Sequence, residues 1–261
     1  MEIIILPTPA EVGRVAAAKI ASVVAEKPSA VVGLATGSSP QGIYADLRRR
    51  VEAGEVSFAA ARGFALDEYV GITLEHPESY ASVIARDVVE PLGFDPARVR
   101  VPDGRAGDLA FAAKEYDAAI RAAGGVDVQI LGIGANGHIG FNEPTSSFAS
   151  RTRIKTLAPS TREANARFFD SPDQVPTHCM TQGLGTILEA GELVLVAQGS
   201  AKADAVAAAV EGPLSSFVPG SALQLHEHAT VVVDEEAAAG LRLADYYRYT
   251  YANKPEWQRF E

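Results

Sequence analysis

The sequence predicts an α/β fold, built on a doubly wound, mainly parallel (Rossmann-like) sheet with helices on both faces. Short apolar segments alternate with helical patterns along the chain, as in successive strand–helix–strand units. The segments at 126–133 and 192–198 are almost continuously apolar, which is typical of strands covered on both faces. The length of 261 residues suits one such domain, spanning residues 1–261.

The first helix shows how the element boundaries are predicted. Thr8 is a suitable N-cap, Pro9 fits the first helical position, and Glu11 completes a capping box. The other elements follow from apolar spacing and turn residues. In chain order the predictions are strands at 2–6, 30–35, 63–66, 126–133, 192–198 and 229–234, and helices at about 9–27, within 36–50, at about 77–89, at 200–212 and after residue 234.

The segment 142–191 differs from the rest of the chain. Its strand signals are weaker and it contains many polar residues. We interpret it as a lid-like excursion over the sheet. The sequence shows no internal repeat, low-complexity tract or linker that would divide the chain.

The charge balance and the termini exclude several classes of protein. The formal charge of −10 argues against a general nucleic-acid or membrane surface, and no apolar run approaches a membrane-spanning length. The single cysteine, Cys179, cannot form an intrachain disulfide. The first residues lack the basic region of a signal peptide. We therefore expect a cytoplasmic protein.

Four polar clusters directly follow predicted strands. They are Thr36-Gly37-Ser38-Ser39, Asp67-Glu68-Tyr69, Asn136 through Glu143, and Gly199 through Lys202. In open α/β sheets, ligands bind outside the carboxyl ends of the strands, where such clusters meet. We therefore expect these four clusters to surround one ligand.

Two of the clusters suit an anion. The Thr36–Ser39 turn leads into a helix, whose free N–H groups and dipole favour a phosphate, and Lys202 follows another strand. The alternatives are a serine-capped tight turn and a solvated lysine. The chain has no Walker motif and no GxGxxG that opens a helix near the N-terminus, so nucleotide binding is not supported.

The other two clusters suit proton transfer. Asp67 ends an apolar strand and could act as a general base, although an isolated aspartate there is commonly an N-cap or a loop hydrogen-bond acceptor. His138 titrates near neutral pH, and Asn136 and Glu143 are close enough in sequence to orient it. A lone loop histidine is often structural, but the surrounding glycines allow a backbone to approach a ligand closely.

The sequence contains no complete metal-binding motif. The pairs His226–His228 and His178–Cys179 lack further ligands, and no HExxH or paired CxxC occurs. We therefore expect no metal.

The motifs together resemble the glucosamine-6-phosphate deaminase (glucosamine-6-phosphate isomerase) family over nearly the whole chain. A set of this kind in this order is highly specific, whereas any single motif would not be. The motifs are LATGSSPQGIY at 34–44, LDEYVGI at 66–72, HPESY at 76–80, GIGANGHIGFNEP at 132–144, SRTRIKTL at 150–157, QGSAKA at 198–203, AAVEGP at 208–213 and SALQLHEHATVVVDEEAA at 221–238.

The resemblance implies conversion of glucosamine 6-phosphate and water to fructose 6-phosphate and ammonia in amino-sugar catabolism, without metal or organic cofactor. It classes the activity, in our prediction, as a hydrolase acting on a C–N bond. By resemblance, His138 opens the sugar ring with help from Glu143 and position 136, and Asp67 moves a proton between C2 and C1. Thr36, Gly37, Ser38, Ser39, Arg167 and Lys202 match the positions that hold the phosphate in the family.

Position 136 departs from some members, which carry aspartate where this chain has Asn136. An asparagine can orient His138 but supplies no negative charge. We therefore expect the imidazolium of His138 to be less stabilised here than in the aspartate members.

Some relatives are hexamers activated by N-acetylglucosamine 6-phosphate bound between subunits. Ser146, Arg153, Lys155 and Thr156 match the basic and hydroxyl part of that regulatory site. The C-terminal sequence DYYRYTYANKPEW departs from the allosteric pattern. A surface basic strand at SRTRIKT, a homo-oligomer and a monomer therefore all stay open.

Two other functions compete with a deaminase. A 6-phosphogluconolactonase has a related fold and a similar glycine–histidine loop, but ester hydrolysis needs no base at a carbon acid, and GFNEP with LDEYVGI favours the deaminase. A non-catalytic sugar-phosphate sensor would keep the phosphate residues and lose Asp67, His138 and Glu143, which are all present.

Overall fold

A computed structural model of the chain describes residues 1–259, and the last two residues of the expected 1–261 domain lie outside it. The predicted fold class is confirmed: a parallel sheet dominates, and helices pack against it. The strands of the described chain are β1 (Glu2–Leu6), β2 (Val31–Leu34), β3 (Arg62–Ala65), β4 (Asp67–Tyr69), β5 (Val99–Arg100), β6 (Val128–Leu131), β7 (Arg153–Thr156), β8 (His178–Thr181), β9 (Glu192–Ala197) and β10 (Ala229–Asp234).

Two sheets contain these strands. The larger sheet has seven strands in the order β1-β10-β9-β6-β2-β3-β5, and every neighbouring pair is parallel. The smaller sheet has three strands in the order β4-β8-β7, and both pairs are antiparallel. Non-consecutive neighbours such as β2 and β6 require crossover connections, which helices provide.

Each predicted helix is present in the described chain, but three further helices, at Leu109–Ala122, Pro159–Asn165 and Leu184–Leu188, were not predicted. The helices are α1 (Pro9–Glu26), α2 (Gln41–Glu52), α3 (Tyr80–Ile84), a π-helical turn (Ala85–Val89), α4 (Glu90–Leu92), α5 (Leu109–Ala122), α6 (Pro159–Asn165), α7 (Leu184–Leu188), α8 (Ala203–Val210) and α9 (Ala244–Ala252), with 3-10 turns at Pro96–Arg98, Ala166–Phe168, Pro172–Gln174, Ser200–Lys202, Pro219–Leu225 and Glu256–Gln258. No described helix is long and apolar enough to cross a membrane.

The start of α1 confirms its predicted cap. The Thr8 hydroxyl accepts a hydrogen bond from the N–H of Glu11 at 3.3 Å, and Pro9 occupies the first turn. The Glu11 carboxylate accepts from the Thr8 hydroxyl at 2.9 Å, rather than from a backbone N–H as in a full capping box. Val12, Val15, Ile20 and Val24 of this helix are buried in the core.

The third predicted helix starts later than expected and changes form midway. We predicted a start at Pro77, but α3 begins at Tyr80, because buried Ser79 is the N-cap and accepts from the N–H of Ser82 at 3.1 Å. The π-helical turn lies just before Pro91, a residue that cannot donate to the helix ladder and whose ring clashes with the preceding turn.

The segment 142–191 is more than the lid-like excursion we predicted. Its strands β7 and β8 pair with each other, and β8 also pairs with β4, which completes the smaller sheet. Asp67, which we expected at the end of a strand, is instead the first residue of β4. Leu66 joins β3 of the large sheet directly to β4 of the small sheet. Its N–H donates to the carbonyl of Leu34 in β2, and its carbonyl accepts from the N–H of Gln182, just after β8.

Candidate active site

The four polar clusters meet at one cavity of about 730 Å³. It lies at the carboxyl ends of the parallel strands, where β2 and β6 are neighbours, as expected for an open α/β sheet. The structure thus brings together residues that are far apart in the chain. Of the residues predicted for the site, the cavity is lined by Thr36, Gly37, Ser38, Ser39, Asp67, Asn136, His138, Arg167 and Lys202.

Asp67 presents a buried carboxylate to this cavity. The residue is 5% exposed, and its burial, reinforced by the neighbouring charge of Glu68, raises the pKa of Asp67 to about 8. A hydrogen bond from the backbone N–H of Phe141 opposes that shift. Gly140, just before Phe141, adopts φ +52°, and a Cβ atom there would lie 3.1 Å from Oγ1 of Thr181, so a glycine permits this backbone path. The carboxylate is therefore poised as a base near neutral pH.

His138, Asn136 and Glu143 form a hydrogen-bonded chain. Nδ1 of His138 lies 2.7 Å from Oδ1 of Asn136, and Nδ2 of Asn136 donates to Oε2 of Glu143 at 2.7 Å. An ionised carboxylate only accepts hydrogen bonds, so the asparagine must turn its NH₂ group toward Glu143 and its oxygen toward the imidazole. The neutral ring therefore carries its proton on Nδ1.

This tautomer leaves the other ring nitrogen free for chemistry. Among residues 1–259, Nε2 of His138 has no hydrogen-bond partner, and the side chain is 17% exposed at the cavity wall. Burial lowers the pKa of His138 from its usual value, Glu143 opposes the shift, and Lys202 adds to it. The ring lies directly on Gly134, where any side chain would overlap Cε1. A neutral imidazole in this position can accept a proton at Nε2.

Glu143 connects this chain of residues to the excursion. Its side chain is buried, and Oε1 accepts from the N–H of Ala158, just before α6, at 3.1 Å. Glu143 lies behind Asn136 and is separated from the cavity by it. It therefore supports His138 through Asn136 and does not itself line the cavity.

The Thr36–Ser39 turn has the features of an anion site. Gly37 adopts φ +90°, and no side-chain hydrogen bond caps the N-terminus of α2 in the described chain. Ser38 accepts from Nη2 of Arg167 at 3.2 Å, and Gln198 donates to the carbonyl of Ser39 at 3.2 Å. The second contact ties this turn to the loop that carries Lys202. Uncapped helix N–H groups, hydroxyls and a guanidinium together suit phosphate oxygens.

Two cations approach each other at this end of the cavity. Nζ of Lys202 donates to the carbonyl of Ile133 at 2.8 Å. Burial lowers the pKa of Lys202, and the charge of Arg167 lowers it further. The guanidinium of Arg167 also lies 4.7 Å above the ring of Phe168. A bound anion would relieve the repulsion between the two cations.

The four residues that match the regulatory site lie outside the cavity lining. Arg153 donates to Ser146 at 3.1 Å and to Asn142 at 2.9 Å, so the structure brings this arginine and serine together. Lys155 points to the same face of β7 as Arg153, while Thr156 is exposed. The basic strand that we left open as an alternative is therefore present, and the regulatory role stays a prediction.

Sequence reasoning missed a chain of side chains across the cavity. The phenol of Tyr80 hydrogen-bonds Thr36 and lies 3.3 Å from the hydroxyl of Tyr69, which accepts from Asn165 of α6 at 3.0 Å. Tyr69 lies in a cluster that we expected around the ligand, and Tyr80 belongs to the quoted motif HPESY, but we assigned neither a specific role. Asn165 carried no motif signal that could have identified it.

The histidines that resembled metal ligands have other surroundings. Nε2 of His226 lies 2.7 Å from the carbonyl of Ala190, and His228 is exposed. Within residues 1–259, no group of three or more His, Cys, Asp or Glu side chains could hold a metal ion.

Comparison with known proteins identifies the family. The profile of the glucosamine-6-phosphate isomerases/6-phosphogluconolactonase family matches residues 8–232. The glucosamine-6-phosphate deaminase of Streptomyces coelicolor is 57% identical over 259 residues, covering 99% of each chain. That of Bifidobacterium longum subsp. infantis is 57% identical over 266 residues, covering 98% of each chain.

Solved structures agree with this assignment. A monomeric glucosamine-6-phosphate deaminase superposes with a TM-score of 0.90 at 41% identity, covering 92% of this chain and 100% of that one. The 6-phosphogluconolactonase of Leishmania guyanensis has a TM-score of 0.73 at 19% identity, covering 92% and 98%, which shows a shared fold alone.

The names of these relatives correct one expectation. We classed the activity as a hydrolase, whereas the family and its members are named isomerases and deaminases. The site geometry agrees with the sequence identity to these relatives over nearly the whole chain. This chain belongs to the glucosamine-6-phosphate isomerase/6-phosphogluconolactonase family, and within it to the glucosamine-6-phosphate deaminases.

Proposed function

We propose that this chain converts glucosamine 6-phosphate and water to fructose 6-phosphate and ammonia, as a step in amino-sugar catabolism. The observation that carries the proposal is that one cavity holds a buried carboxylate, an oriented imidazole and a cationic, hydroxyl-rich end. The deaminase relatives are 57% identical over almost the whole chain, which supports the same reaction.

The phosphate of the substrate binds at the cationic end. Ser38, Arg167 and Lys202 contact its oxygens, and the N-terminus of α2 supplies further N–H donors. Phosphate binding neutralises the repulsion between Arg167 and Lys202. This end of the cavity therefore fixes the sugar so that its other end reaches the proton-transfer groups.

Ring opening uses His138. Nε2 takes the proton from the hydroxyl on C1 and returns it to the ring oxygen as the C1–O5 bond breaks. Asn136 and Glu143 hold the imidazole in the tautomer that leaves Nε2 unprotonated at the start. The product of this step is the open-chain aldehyde with its amino group on C2.

Isomerisation uses Asp67. Its carboxylate removes the proton from C2, the electron pair forms a C1=C2 bond, and the oxygen on C1 gains a proton released by the C2 ammonium group of the substrate, which gives an enolamine. Asp67 then returns its proton to C1, leaving an iminium at C2. Water adds to C2 and ammonia departs, which yields the ketone. A carbon acid requires a strong, fixed base, and a pKa of about 8 for Asp67 suits that task.

A lactonase is not favoured, because the lactonase structure shares the fold at 19% identity. A non-catalytic sensor is not favoured either, since the positions of Asp67 and His138 at one cavity would serve no purpose in binding alone.

We retain activation by N-acetylglucosamine 6-phosphate as a proposal for Ser146, Arg153, Lys155 and Thr156. Arg153 on β7 donates to Ser146 in the loop before it, which brings a basic and a hydroxyl side chain together.

The test is an assay of purified protein with two substrates. We expect ammonia release from glucosamine 6-phosphate and no hydrolysis of phosphogluconolactone. Lactone hydrolysis without ammonia release would overturn the proposal in favour of the lactonase, and binding without either reaction would favour the sensor. The same assay with added N-acetylglucosamine 6-phosphate tests regulation: conversion of sigmoidal to hyperbolic kinetics supports it.

A further inference from the structure

Glu68 is a buried carboxylate to which the proposed reaction assigns no step. It follows the base Asp67 in β4 and is 3% exposed. Alternate residues of a strand point to opposite faces, so the side chain of Glu68 points away from that of Asp67. A buried carboxylate is costly unless it is hydrogen-bonded, so its partners indicate why it is there.

The partners are three backbone N–H groups. Oε1 of Glu68 accepts from Tyr69 at 2.8 Å and from Tyr80 at 3.0 Å, and Oε2 accepts from Ala81 at 2.9 Å. Tyr80 and Ala81 are the first residues of α3, whose N-cap Ser79 uses its hydroxyl on Ser82. Glu68 therefore satisfies helix N–H groups that the local cap leaves unpaired.

These bonds join two walls of the cavity. One wall is β4, which carries Asp67, and the other is the start of α3, which carries Tyr80. The phenol of Tyr80 contacts Thr36 of the phosphate turn and Tyr69, so a shift of α3 relative to β4 would change both ends of the site.

We propose that Glu68 is a positioning residue for the isomerisation step, which holds the first turn of α3 against β4 and places a negative charge beside the base. This inference rests on the proposed function for its kinetic part. It goes beyond that function because it assigns a role to a side chain that touches neither substrate nor reacting atoms.

The N–H donors around Glu68 favour its ionised form. Burial raises the pKa of Glu68 above its usual value, and the three backbone N–H groups oppose that shift. For Asp67, whose pKa is about 8, one backbone N–H opposes the shift. Because Glu68 has more donors, we infer that it loses its proton at lower pH than Asp67 and that its charge then opposes the ionisation of Asp67.

The phenol and thiol groups near Asp67 stay neutral over this range. The pKa of Tyr69 is raised to about 12 by burial, and burial raises the pKa of Tyr80, Tyr116 and Cys179 well above their usual values. On the loop that packs against β4, His138 and Glu143 interact with each other. On β7, Arg153 donates to Asn142 at 2.9 Å, and its charge opposes the rise in the pKa of Cys179. Glu68 is the charged side chain that raises the pKa of Asp67.

Two substitutions separate the effect of the charge of Glu68 from the effect of its side-chain length. Glu68→Gln keeps the length and removes the charge, whereas Glu68→Asp keeps the charge and shortens the side chain by one methylene. Glu90→Gln is the matched control, because it removes an exposed carboxylate from the same helical stretch. The readouts are kcat and KM for ammonia release as functions of pH.

We expect Glu68→Gln to move the rising limb of kcat/KM to lower pH by about one unit or more, in the range of close charge effects on a buried group. Glu68→Asp should keep the limb near its wild-type pH and raise KM or lower kcat, because α3 loses its anchor. Glu90→Gln should leave both unchanged. The proposal would be overturned if the rising limb of kcat/KM lay at the same pH in Glu68→Gln as in the wild type, or if this variant lost activity equally at every pH.

A second measurement needs neither activity nor a folded variant of Glu68. Carboxyl ¹³C NMR of the wild-type protein, with the Asp67 resonance identified in Asp67→Asn, follows both titrations directly. We expect the Glu68 carboxyl to titrate first and the Asp67 carboxyl later. The reverse order would contradict the proposal, whereas absence of ammonia release from the wild type would overturn the proposed function and leave this result intact.

Discussion

The large parallel sheet and the small antiparallel sheet differ in composition and in structural role. The strands β2, β6, β9 and β10 of the large sheet are almost wholly buried and apolar. The strand β7 of the small sheet is half-buried and basic, and β4 consists of Asp67, Glu68 and Tyr69. The large sheet is therefore stabilised by apolar burial, and the small sheet holds polar groups in fixed positions.

The site lies where the two sheets meet. The large sheet supplies turns that bind an anion and the loop that carries His138, because the carboxyl ends of its strands face the cavity. The small sheet supplies the base, and its neighbour α6 supplies the contact of Asn165 with Tyr69. The difference between the sheets thus separates binding from proton transfer at carbon, and substitutions in each sheet should have distinct kinetic effects.

The largest effect is expected from the small sheet. Asp67→Asn keeps the shape of the side chain and removes the base. We expect kcat to fall by about 10²- to 10⁴-fold or more, the contribution typical of a positioned acid or base, with substrate binding retained. Steady-state assays and calorimetric binding measure the two quantities. Full activity in this variant would remove the proposed role of Asp67.

The same variant has a stability consequence with a definite sign. The pKa of Asp67 is raised in the folded state to about 8, whereas in the unfolded chain it is about 4. Its contribution to stability is therefore complete below about pH 4 and is lost as the pH rises to about 8. Asp67→Asn should remove this loss, so its Tm should exceed that of wild type most clearly above pH 8.

The next effect is expected at the loop after β6. Gly134→Ala places a methyl group where the ring of His138 lies. The imidazole must move, and a misplacement of about 1 Å can lower the rate by about 10²-fold. Gly107→Ala is the matched control, because a Cβ atom there meets nothing within 4 Å. Equal activity of the two variants would show that the placement of His138 is not critical.

A smaller effect on binding is expected at the anion end. Arg167→Lys retains the charge and loses the guanidinium that donates to Ser38. We expect KM to rise about 10- to 100-fold with little change in kcat, the range for a lost hydrogen bond to a charged group. Arg162→Lys, on the same segment but bonded to Val175, is the control. A fall in kcat alone would place Arg167 in the proton transfer instead.

The smallest effect is expected at Asn136. Asn136→Asp adds a negative charge 2.7 Å from His138, which should raise the pKa of the imidazole and move its titration to higher pH. The new carboxylate would also face Glu143 at about the present 2.7 Å, so the two acids would share a proton and reduce the rise. NMR titration of His138 in the wild type and in Asn136→Asp measures the change in the pKa of the imidazole. An unchanged or lower pKa in the variant would defeat the expectation.

Much of the large sheet could be predicted from the sequence, and the small sheet could not. The strands at 2–6 and 229–234 coincide with β1 and β10, because buried parallel strands leave long apolar runs. The strands β7 and β8 have four residues each and mix polar and apolar side chains, and β8 gains its second partner, β4, from a distant part of the chain. Local pattern carries little information about such pairing.

The site shows the same division. The convergence of the four clusters was predictable, because it depends only on the parallel direction of the strands. The helix cap that Glu68 supplies to Tyr80 spans twelve residues and two elements, and the contact of Tyr69 with Asn165 spans ninety-six. Neither leaves a spacing signal. The motif resemblance marked Glu68, Tyr69 and Tyr80 as family residues without indicating what they contact.

The most direct test of one shared hexose site is a crystal structure of Asp67→Asn with glucosamine 6-phosphate bound. We expect the phosphate against Ser38, Arg167 and Lys202, and C1 and C2 between residue 67 and His138. A sugar bound with C2 away from residue 67, or a phosphate held elsewhere, would contradict the division of binding and proton transfer between the two sheets.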